Sequence, residues 1–244
     1  MPKLMINGNL YSPKLVLFDA DGTLVDDKHR YSSLGKARYK AFKENASEKA
    51  AKEWARLSGV NPNDWTIDPL GPISKAPRRD DLAIAAGALY LDGYHWYDAR
   101  AMAERLYESA DEEQKKKFKP RLYEGTMDKL VELKKAGFKL GIATNGVTKI
   151  TEEMLTGLGL GEVFSIVVGA DQVEHSKPAP DMILLACDNI GVSPSDCIYV
   201  GDQYTDMAAA NHSGALSVGV RNLELAEKGA KETLSLIRDI IVVG

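Results

Sequence analysis

A short stretch near the N-terminus combines a strand pattern with two acidic residues. The apolar run Leu15–Phe18 is followed by Asp19 and Asp21, and then by Gly22 and Thr23. Residues i and i+2 of an extended backbone point the same way. The two carboxylates therefore converge at the carboxyl end of a strand, where open parallel sheets bind ligands. Two acids so close repel each other unless a cation, a proton or hydrogen bonds hold them. The pair indicates a ligand-binding edge, and an acidic turn after a strand is the alternative.

Further polar residues stand at the ends of predicted strands or in loops between predicted elements. Thr144 and Asn145 follow Gly-Ile-Ala, and Lys177 stands in Ser-Lys-Pro-Ala-Pro. Asp202 follows Ile-Tyr-Val-Gly, and Asp206 comes four residues later. In a doubly wound sheet the loops at the carboxyl ends of the strands share one edge. The sequence therefore predicts that four distant loops meet at one crevice.

The residue types in this crevice suit the chemistry of a phosphoryl group. Carboxylates without a soft ligand favour a hard, oxygen-binding cation, and Mg²⁺ fits best. A metal ion and a lysine offset the charge on phosphoryl oxygens, while a hydroxyl and backbone amides orient them. A carboxylate held in that environment can attack phosphorus. The sequence therefore predicts Mg²⁺ as cofactor and a phosphorylated substrate.

The elements that carry these residues alternate between strand and helix after Pro120. The predicted strands cover residues 14–18, 138–143, 164–169, 197–200, 216–220 and 240–243. The predicted helices cover residues 126–136, the stretch from the loop at 144–146 to residue 158, and residues 180–190, 205–211 and 224–227. Asn7-Gly8 is a turn signal that fits a small hairpin or a lead-in before the first strand. Alternating strands and helices imply βαβ units with a parallel sheet. The predicted fold class is α/β, with a doubly wound Rossmann-like core.

The block between the first strand and this alternation has a different pattern. Helical periodicity covers residues 31–57 (in one or two pieces), 79–91 and 97–117, and a loop rich in proline separates the first region from the second. No strand pattern occurs in this block. We therefore predict a core of residues 1–25 and 119–244, with an inserted all-helical domain at 26–118.

Composition excludes several classes of protein. Hydrophobic residues make up 44% and charged residues 27% of the 244 residues, which is ordinary for a globular protein. The net charge of −4 is spread in both signs along the chain, which argues against a nucleic-acid partner. Cys187 and Cys197 lie in apolar contexts without metal-type spacing. Without an apolar signal core or a membrane-spanning run, we expect no membrane partner and a cytoplasmic protein.

Four motifs together resemble those of one enzyme superfamily. Phe-Asp-Ala-Asp-Gly-Thr-Leu, Ala-Thr-Asn, Ser-Lys-Pro and Val-Gly-Asp-Gln-Tyr-Thr-Asp match, in order, the motifs of the haloacid dehalogenase-like hydrolases. The resemblance covers residues 14–220. Within the superfamily the chain is similar to the phosphoglycolate-phosphatase-like branch, which carries a helical cap domain inserted after the first motif.

The resemblance implies roles for the acidic residues. Asp19 would be the nucleophile that forms an aspartyl-phosphate, and it would also bind Mg²⁺. Asp21 would protonate the leaving group and then activate water, with its main-chain carbonyl on the metal ion. Asp202 would bind the metal ion directly, and Asp206 would act directly or through water and Lys177.

The remaining site residues would face the substrate. By the same resemblance, Thr144 and the Asn145 backbone would hydrogen-bond the phosphoryl oxygens, and Lys177 would neutralise Asp19 and the phosphoryl group. Arg78 begins a predicted helix of the inserted domain. It is a candidate for binding a second anionic group of the substrate, and a charged helix start on a solvated surface is the alternative.

The resulting prediction is a Mg²⁺-dependent phosphatase that hydrolyses a small phosphomonoester through an aspartyl-phosphate. The partner would be a small phosphorylated metabolite, since a cap would obstruct phosphoproteins, and a monomer and a homodimer both stay open. The alternatives are a phosphomutase of the β-phosphoglucomutase type and a pyrophosphatase. The second acid, Asp21, argues against a dehalogenase. The intact set of nucleophile, acid, lysine and metal ligands argues against a silent binding protein.

Overall fold

The chain folds into two compact units. A computed structural model describes residues 2–117 and 119–244. One unit is formed by the chain up to Asp26 and from Arg121 onward, and the other by residues 27–120. We call them the core unit and the helical unit. In the described part of the chain, no helix has both the length and the apolar character needed to cross a membrane.

The strands of the described residues all belong to the core unit. In chain order they are β1 (Lys3–Ile6), β2 (Asn9–Tyr11), β3 (Leu15–Phe18), β4 (Lys139–Thr144), β5 (Ile166–Gly169), β6 (Cys197–Gly201), β7 (Leu216–Val220), β8 (Glu232–Leu234) and β9 (Ile241–Val243).

The α-helices are divided between the two units. Those of the helical unit are α1 (Asp27–Asn45), α2 (Glu48–Ser58), α3 (Pro72–Lys75), α4 (Arg78–Leu91) and α5 (Trp96–Lys117). Those of the core unit are α6 (Thr126–Lys135), α7 (Thr148–Gly157), α8 (Asp181–Ile190) and α9 (Tyr204–Ser213).

A six-stranded parallel sheet organises the core unit, in the order β5-β4-β3-β6-β7-β8. Strand β3 lies in the interior of this sheet, and its register places Phe18 beside Ile142 of β4 and Val200 of β6. These three strands therefore end at the same edge, and the polar residues that follow them are brought together. The predicted α/β class with a parallel sheet is confirmed.

Two apolar layers cover the faces of this sheet. Val16 and Phe18 belong to one buried cluster, whereas Leu15 and Leu17 belong to the other. The division follows from the alternation of side chains along a strand. A parallel strand buried on both faces reads as a continuous apolar run, which is the pattern that predicted β3.

A second, antiparallel sheet has the order β2-β1-β9. Its β1–β2 hairpin turns at Asn7 and Gly8, both with positive φ, as the turn signal predicted. The last strand, expected to continue the strand–helix alternation, instead pairs with β1. Sequence patterning also missed β8, because this short strand carries a buried glutamate, Glu232, and no apolar run.

Glu232 explains how an acidic residue occupies a buried strand position. Its carboxylate accepts hydrogen bonds from the side chains of Asn7 and Asn9 and from the Tyr11 hydroxyl. A buried charge is tolerated when hydrogen bonds satisfy it. Glu232 thereby ties the hairpin to the edge of the parallel sheet.

The helical unit packs around an apolar core that contains Phe42, Trp54 and Tyr107. The helical region predicted at residues 31–57 is two helices, α1 and α2. The second begins where the Ser47 side chain accepts a hydrogen bond from the Ala50 amide, as an N-cap does. It ends at Gly59, which has the left-handed backbone typical of a helix C-terminus.

Candidate active site

Asp19 continues the ladder of β3 into the site. Its amide donates to the Val200 carbonyl at 2.9 Å, and the residue is 6% exposed. The chain then turns tightly, because the amides of Leu24 and Val25 both donate to the Ala20 carbonyl. This turn contains Asp21, which is half-buried and lies two residues after Asp19.

Gly22 lets a second acidic residue approach the same turn. Its φ is +80°, and a Cβ there would lie 2.5 Å from a carboxylate oxygen of Asp202, which follows β6. The buried hydroxyl of Thr23 donates to Asp202 Oδ1 at 3.1 Å. Thr23 therefore orients Asp202. Its position two residues after the second acid was the only sequence signal for that role.

Asp206 is held by the start of α9. Its Oδ2 accepts a hydrogen bond from the Gln203 amide at 2.9 Å, which caps the helix. A Cβ on Gly201 would collide with the Asp206 carboxylate, so this position requires glycine. Asp206 is 1% exposed, and the helix fixes its Oδ1 toward the site.

Lys177 connects the acidic residues. Its Nζ lies 2.8 Å from Asp19 Oδ1 and 2.6 Å from Asp206 Oδ1, and the residue is 4% exposed. Burial acts to lower the pKa of Lys177, but the charges of Asp19 and Asp206 outweigh it, and the pKa is raised above its usual value. Lys177 is therefore an ammonium ion in the site.

The pKa of Asp19 reflects the same surroundings. Burial raises it to about 7, and the charges of Asp206 and Asp21 act in the same direction, whereas the Lys177 ammonium lowers it. A carboxyl group whose pKa is set by opposing effects of burial and a neighbouring positive charge is typical of functional sites. A cation held by the same carboxylates would lower this pKa.

Residues after β4 complete the crevice. Thr144 is buried at the end of that strand, and its Oγ1 accepts a hydrogen bond from the Gly146 amide at 3.2 Å. The Asn145 side chain binds the backbone of Lys177, accepting from its amide at 3.1 Å and donating to its carbonyl at 3.4 Å. This side-chain link was not predicted, because we assigned a role only to the Asn145 backbone. It fixes the lysine loop beside Thr144.

Three carboxylates of the site form a set suited to a metal ion. One oxygen each from Asp19, Asp202 and Asp206 lies within 4.8 Å of the others. The donors are all hard oxygens, which fits Mg²⁺ or a similar divalent cation. Asp21 lies in the same turn but its carboxylate is not part of this set.

The site contains a buried tyrosine that sequence reasoning missed. Tyr199 of β6 is fully buried, and its hydroxyl lies 2.7 Å from Lys177 Nζ. Burial, followed by the charges of Asp206 and Asp19, raises the pKa of Tyr199, so the phenol keeps its proton. The sequence signal that could have indicated this role was a tyrosine in a strand predicted to be buried. A buried hydroxyl needs a hydrogen-bond partner.

Arg78 belongs to the helical unit. Its guanidinium forms an ion pair with Asp111 at 2.8 Å and lies over the ring of Tyr107, and the side chain is 27% exposed. These contacts account for its position within that unit. Its role in substrate binding stays a prediction.

Comparisons with known proteins identify the family. The sequence model of the haloacid dehalogenase-like hydrolases matches residues 16–220. The chain belongs to this family. A phosphoglycolate phosphatase from Shigella boydii is 29% identical over 214 residues, which cover 84% of this chain and 80% of that protein. The pyrophosphatase PpaX of Bacillus velezensis is 43% identical over 101 residues, 40% of this chain and 45% of that protein.

Solved structures share the fold. A predicted phosphoglycolate phosphatase from Haemophilus somnus has a TM-score of 0.69 at 24% identity, covering 93% of this chain and 96% of that one. A β-phosphoglucomutase from Clostridium difficile has a TM-score of 0.65 at 20% identity, covering 93% and 92%. The predicted superfamily and enzyme class, a hydrolase of the phosphatase type, are confirmed by the family match and the curated relatives.

Proposed function

We propose that the protein is a Mg²⁺-dependent phosphatase that hydrolyses a small phosphomonoester through a phosphorylated Asp19. The observation that carries this proposal is the position of Asp19 at the end of β3. There its carboxylate meets the Lys177 ammonium and the carboxylates of Asp202 and Asp206. This arrangement combines a buried nucleophile with the charges that a phosphoryl group requires.

The three clustered carboxylates, with the main-chain carbonyl of Asp21, would hold the cation. Bound there, Mg²⁺ supplies positive charge that offsets the charge of the phosphoryl oxygens. The fit rests on the donor set, which contains only hard oxygens from Asp19, Asp202 and Asp206. Thr23 and Gly22 hold Asp202 in place for this task.

The chemical steps would fall to the two acids of the first turn. An Asp19 oxygen forms a bond to phosphorus while the bond to the leaving oxygen breaks, and Asp21 gives that oxygen its proton. Asp21 then takes a proton from water, whose oxygen attacks phosphorus and releases inorganic phosphate from Asp19. Lys177 orients Asp19 throughout, and the Thr144 hydroxyl and Asn145 amide bind phosphoryl oxygens.

The relatives favour a small substrate. The phosphoglycolate phosphatase from Shigella boydii aligns along most of the chain, which supports a short phosphorylated acid as the first substrate to test. The pyrophosphatase PpaX is more identical over a shorter stretch, so pyrophosphate is the second candidate. The inserted helical unit is our candidate for a cap that restricts the substrate to small molecules.

A phosphate-release screen with Mg²⁺ tests the proposal. The panel would contain phosphoglycolate, pyrophosphate, sugar phosphates, nucleoside monophosphates and p-nitrophenyl phosphate. We expect metal-dependent release that is lost in Asp19→Asn and kept in Asp188→Asn, which removes the same charge from an exposed position of α8.

Three outcomes would contradict the proposal. No release from any substrate would contradict a phosphatase, and release by Asp19→Asn would exclude the covalent intermediate. Transfer of the phosphoryl group to the product instead of water would identify a phosphomutase.

A further inference from the structure

The Lys177 ammonium has more acceptors than it has protons. A lysine ammonium donates three hydrogen bonds, yet four oxygens lie within bonding distance of Nζ. They are Asp206 Oδ1 at 2.6 Å, the Tyr199 hydroxyl at 2.7 Å, Asp19 Oδ1 at 2.8 Å and the Ala143 carbonyl at 3.2 Å. The three shorter contacts therefore use the three protons. Two go to carboxylates, and the third goes to the tyrosine.

The Tyr199 hydroxyl has one proton of its own to place. Its oxygen lies 2.7 Å from the Ala143 carbonyl and 3.2 Å from Asp206 Oδ1. The shorter contact, to the carbonyl, is the better hydrogen bond. A hydroxyl that donates to Ala143 turns its lone pairs toward Lys177. The result is a continuous series of hydrogen bonds from the Lys177 ammonium through the Tyr199 phenol to the end of β4.

These hydrogen bonds fix the direction in which the Lys177 ammonium points. Without the phenol oxygen, the third proton of Lys177 would turn to the Ala143 carbonyl, which is already near. The nitrogen would then move toward the Ala143 carbonyl of β4 and away from the carboxylates of Asp19 and Asp206. Ala143 directly precedes Thr144, so the same bonds connect the lysine to the predicted phosphoryl-binding residue.

We propose that Tyr199 is a positioning residue whose hydroxyl holds the Lys177 ammonium between Asp19 and Asp206 for the reaction. The inference rests on the proposed function, because the reaction is the one assigned to Asp19. Tyr199 acts through Lys177 and does not touch the substrate. The competing explanation is that the hydroxyl only satisfies a buried phenol, whose ring packs in the apolar cluster beneath the sheet.

Tyr199→Phe in the full-length enzyme separates the two explanations. We expect kcat to fall by about 10- to 100-fold, as on loss of an outer hydrogen-bond partner of a site residue. KM should stay within about threefold of its original value, because no substrate contact is removed. Tyr11→Phe is the matched control. It also removes a hydroxyl bound to a carboxylate, that of Glu232 on β8, two strands away from β6, and it should leave kcat unchanged.

A spectroscopic measurement tests the link without catalysis. The ¹⁵N–¹H signal of the Lys177 ammonium, assigned by its loss in Lys177→Met, should exchange slowly with water because the group is buried and fully bonded. In Tyr199→Phe we expect this signal to shift and to exchange faster, and in Tyr11→Phe to stay the same. If the enzyme releases no phosphate while the signal still depends on Tyr199, the proposed function is wrong and the link holds.

Two results would overturn the inference. One is a Tyr199→Phe enzyme with kcat within about twofold of the original and an unchanged Lys177 signal. The other is a variant that fails to fold by circular dichroism, since that would assign the hydroxyl to the stability of the core.

Discussion

The two units each bury a cluster built from the same kinds of group. In the core unit, Lys177 lies between two carboxylates and beside the Tyr199 hydroxyl. In the helical unit, Arg38 pairs with Asp81 at 2.6 Å, and the Tyr107 hydroxyl donates to the same carboxylate. Both clusters therefore contain a buried cation, acidic partners and a tyrosine.

The clusters differ in their balance of charge. The helical unit sets two guanidinium groups, Arg38 and Arg78, against the carboxylates of Asp81 and Asp111. The site of the core unit sets the Lys177 ammonium and the Arg221 guanidinium, which donates to the Gly22 carbonyl, against the carboxylates of Asp19, Asp21, Asp202 and Asp206. Negative charge is in excess among these groups. A balanced cluster can serve stability alone, whereas a divalent cation would neutralise the unbalanced one. Charge imbalance, and not burial, distinguishes the candidate site.

The largest expected effect is the loss of the Lys177 ammonium. Lys177→Met should lower kcat by about 1,000-fold or more, because a preorganised charge beside the reacting group is removed. Phosphate release from the best substrate of the screen measures it. Lys139→Met, at an exposed lysine of the same unit, is the control and should keep its activity. Activity near that of the unmodified enzyme would mean that the unbalanced cluster is not the site.

The matching change in the balanced cluster should affect stability. Arg38→Met leaves the buried Asp81 carboxylate without its cationic partner and should destabilise the helical unit by about 3–5 kcal/mol. All three tryptophans lie in residues 27–120, so tryptophan fluorescence during urea unfolding reports on that unit. Arg79→Met removes an exposed arginine of α4 in the same unit and should not move the transition. An unmoved transition in Arg38→Met would show that the ion pair does not support the unit.

Metal binding should distinguish the cluster of the core unit from that of the helical unit. Mg²⁺ at about 100 times its dissociation constant should stabilise the core unit by about 2.7 kcal/mol. Asp202→Asn should reduce that gain. The transition followed by tryptophan fluorescence should respond less, because the described cluster of the helical unit already pairs its two carboxylates with two guanidinium groups. If Mg²⁺ did not stabilise the core unit, the difference in charge balance would be contradicted.

Tyr107 and Tyr199, the tyrosines of the two clusters, allow a comparison of single hydroxyl groups. The Tyr107 hydroxyl accepts from Trp54 Nε1 at 2.9 Å while donating to Asp81. Tyr107→Phe should therefore cost about 1–3 kcal/mol in the tryptophan-monitored transition, the cost of leaving buried polar groups without a partner. Tyr199→Phe is expected to act mainly on kcat. Should Tyr107→Phe lower kcat at constant stability, the helical cluster would be part of the catalytic machinery.

The smallest effect is expected at Arg78. If it binds a second anionic group, Arg78→Ala should raise KM for phosphoglycolate and not for p-nitrophenyl phosphate. Because Asp111 already pairs with its guanidinium, we expect a rise of only about threefold. Unchanged KM values for both substrates would show that the prediction for Arg78 is wrong.

The sequence by itself determined the parts of this protein that depend on local pattern. The apolar run Leu15–Phe18, the glycine turns and the alternation of strands and helices were sufficient to predict the parallel sheet. Side chains that follow parallel strands must share an edge, so Asp19, Lys177 and Asp202 could be grouped before any distance was known. The ordered motifs then identified the family.

Only the tertiary structure decided which groups bind one another. The Tyr199 hydroxyl, the Asn145 side chain and the Thr23 hydroxyl each contact residues far away in the chain, and no periodicity encodes such contacts. The pairing of β9 with β1 was likewise invisible, because strand partners are chosen by packing over long sequence separations. Local residue preferences are short-range, whereas the direction of the Lys177 ammonium depends on oxygens from four separate parts of the chain.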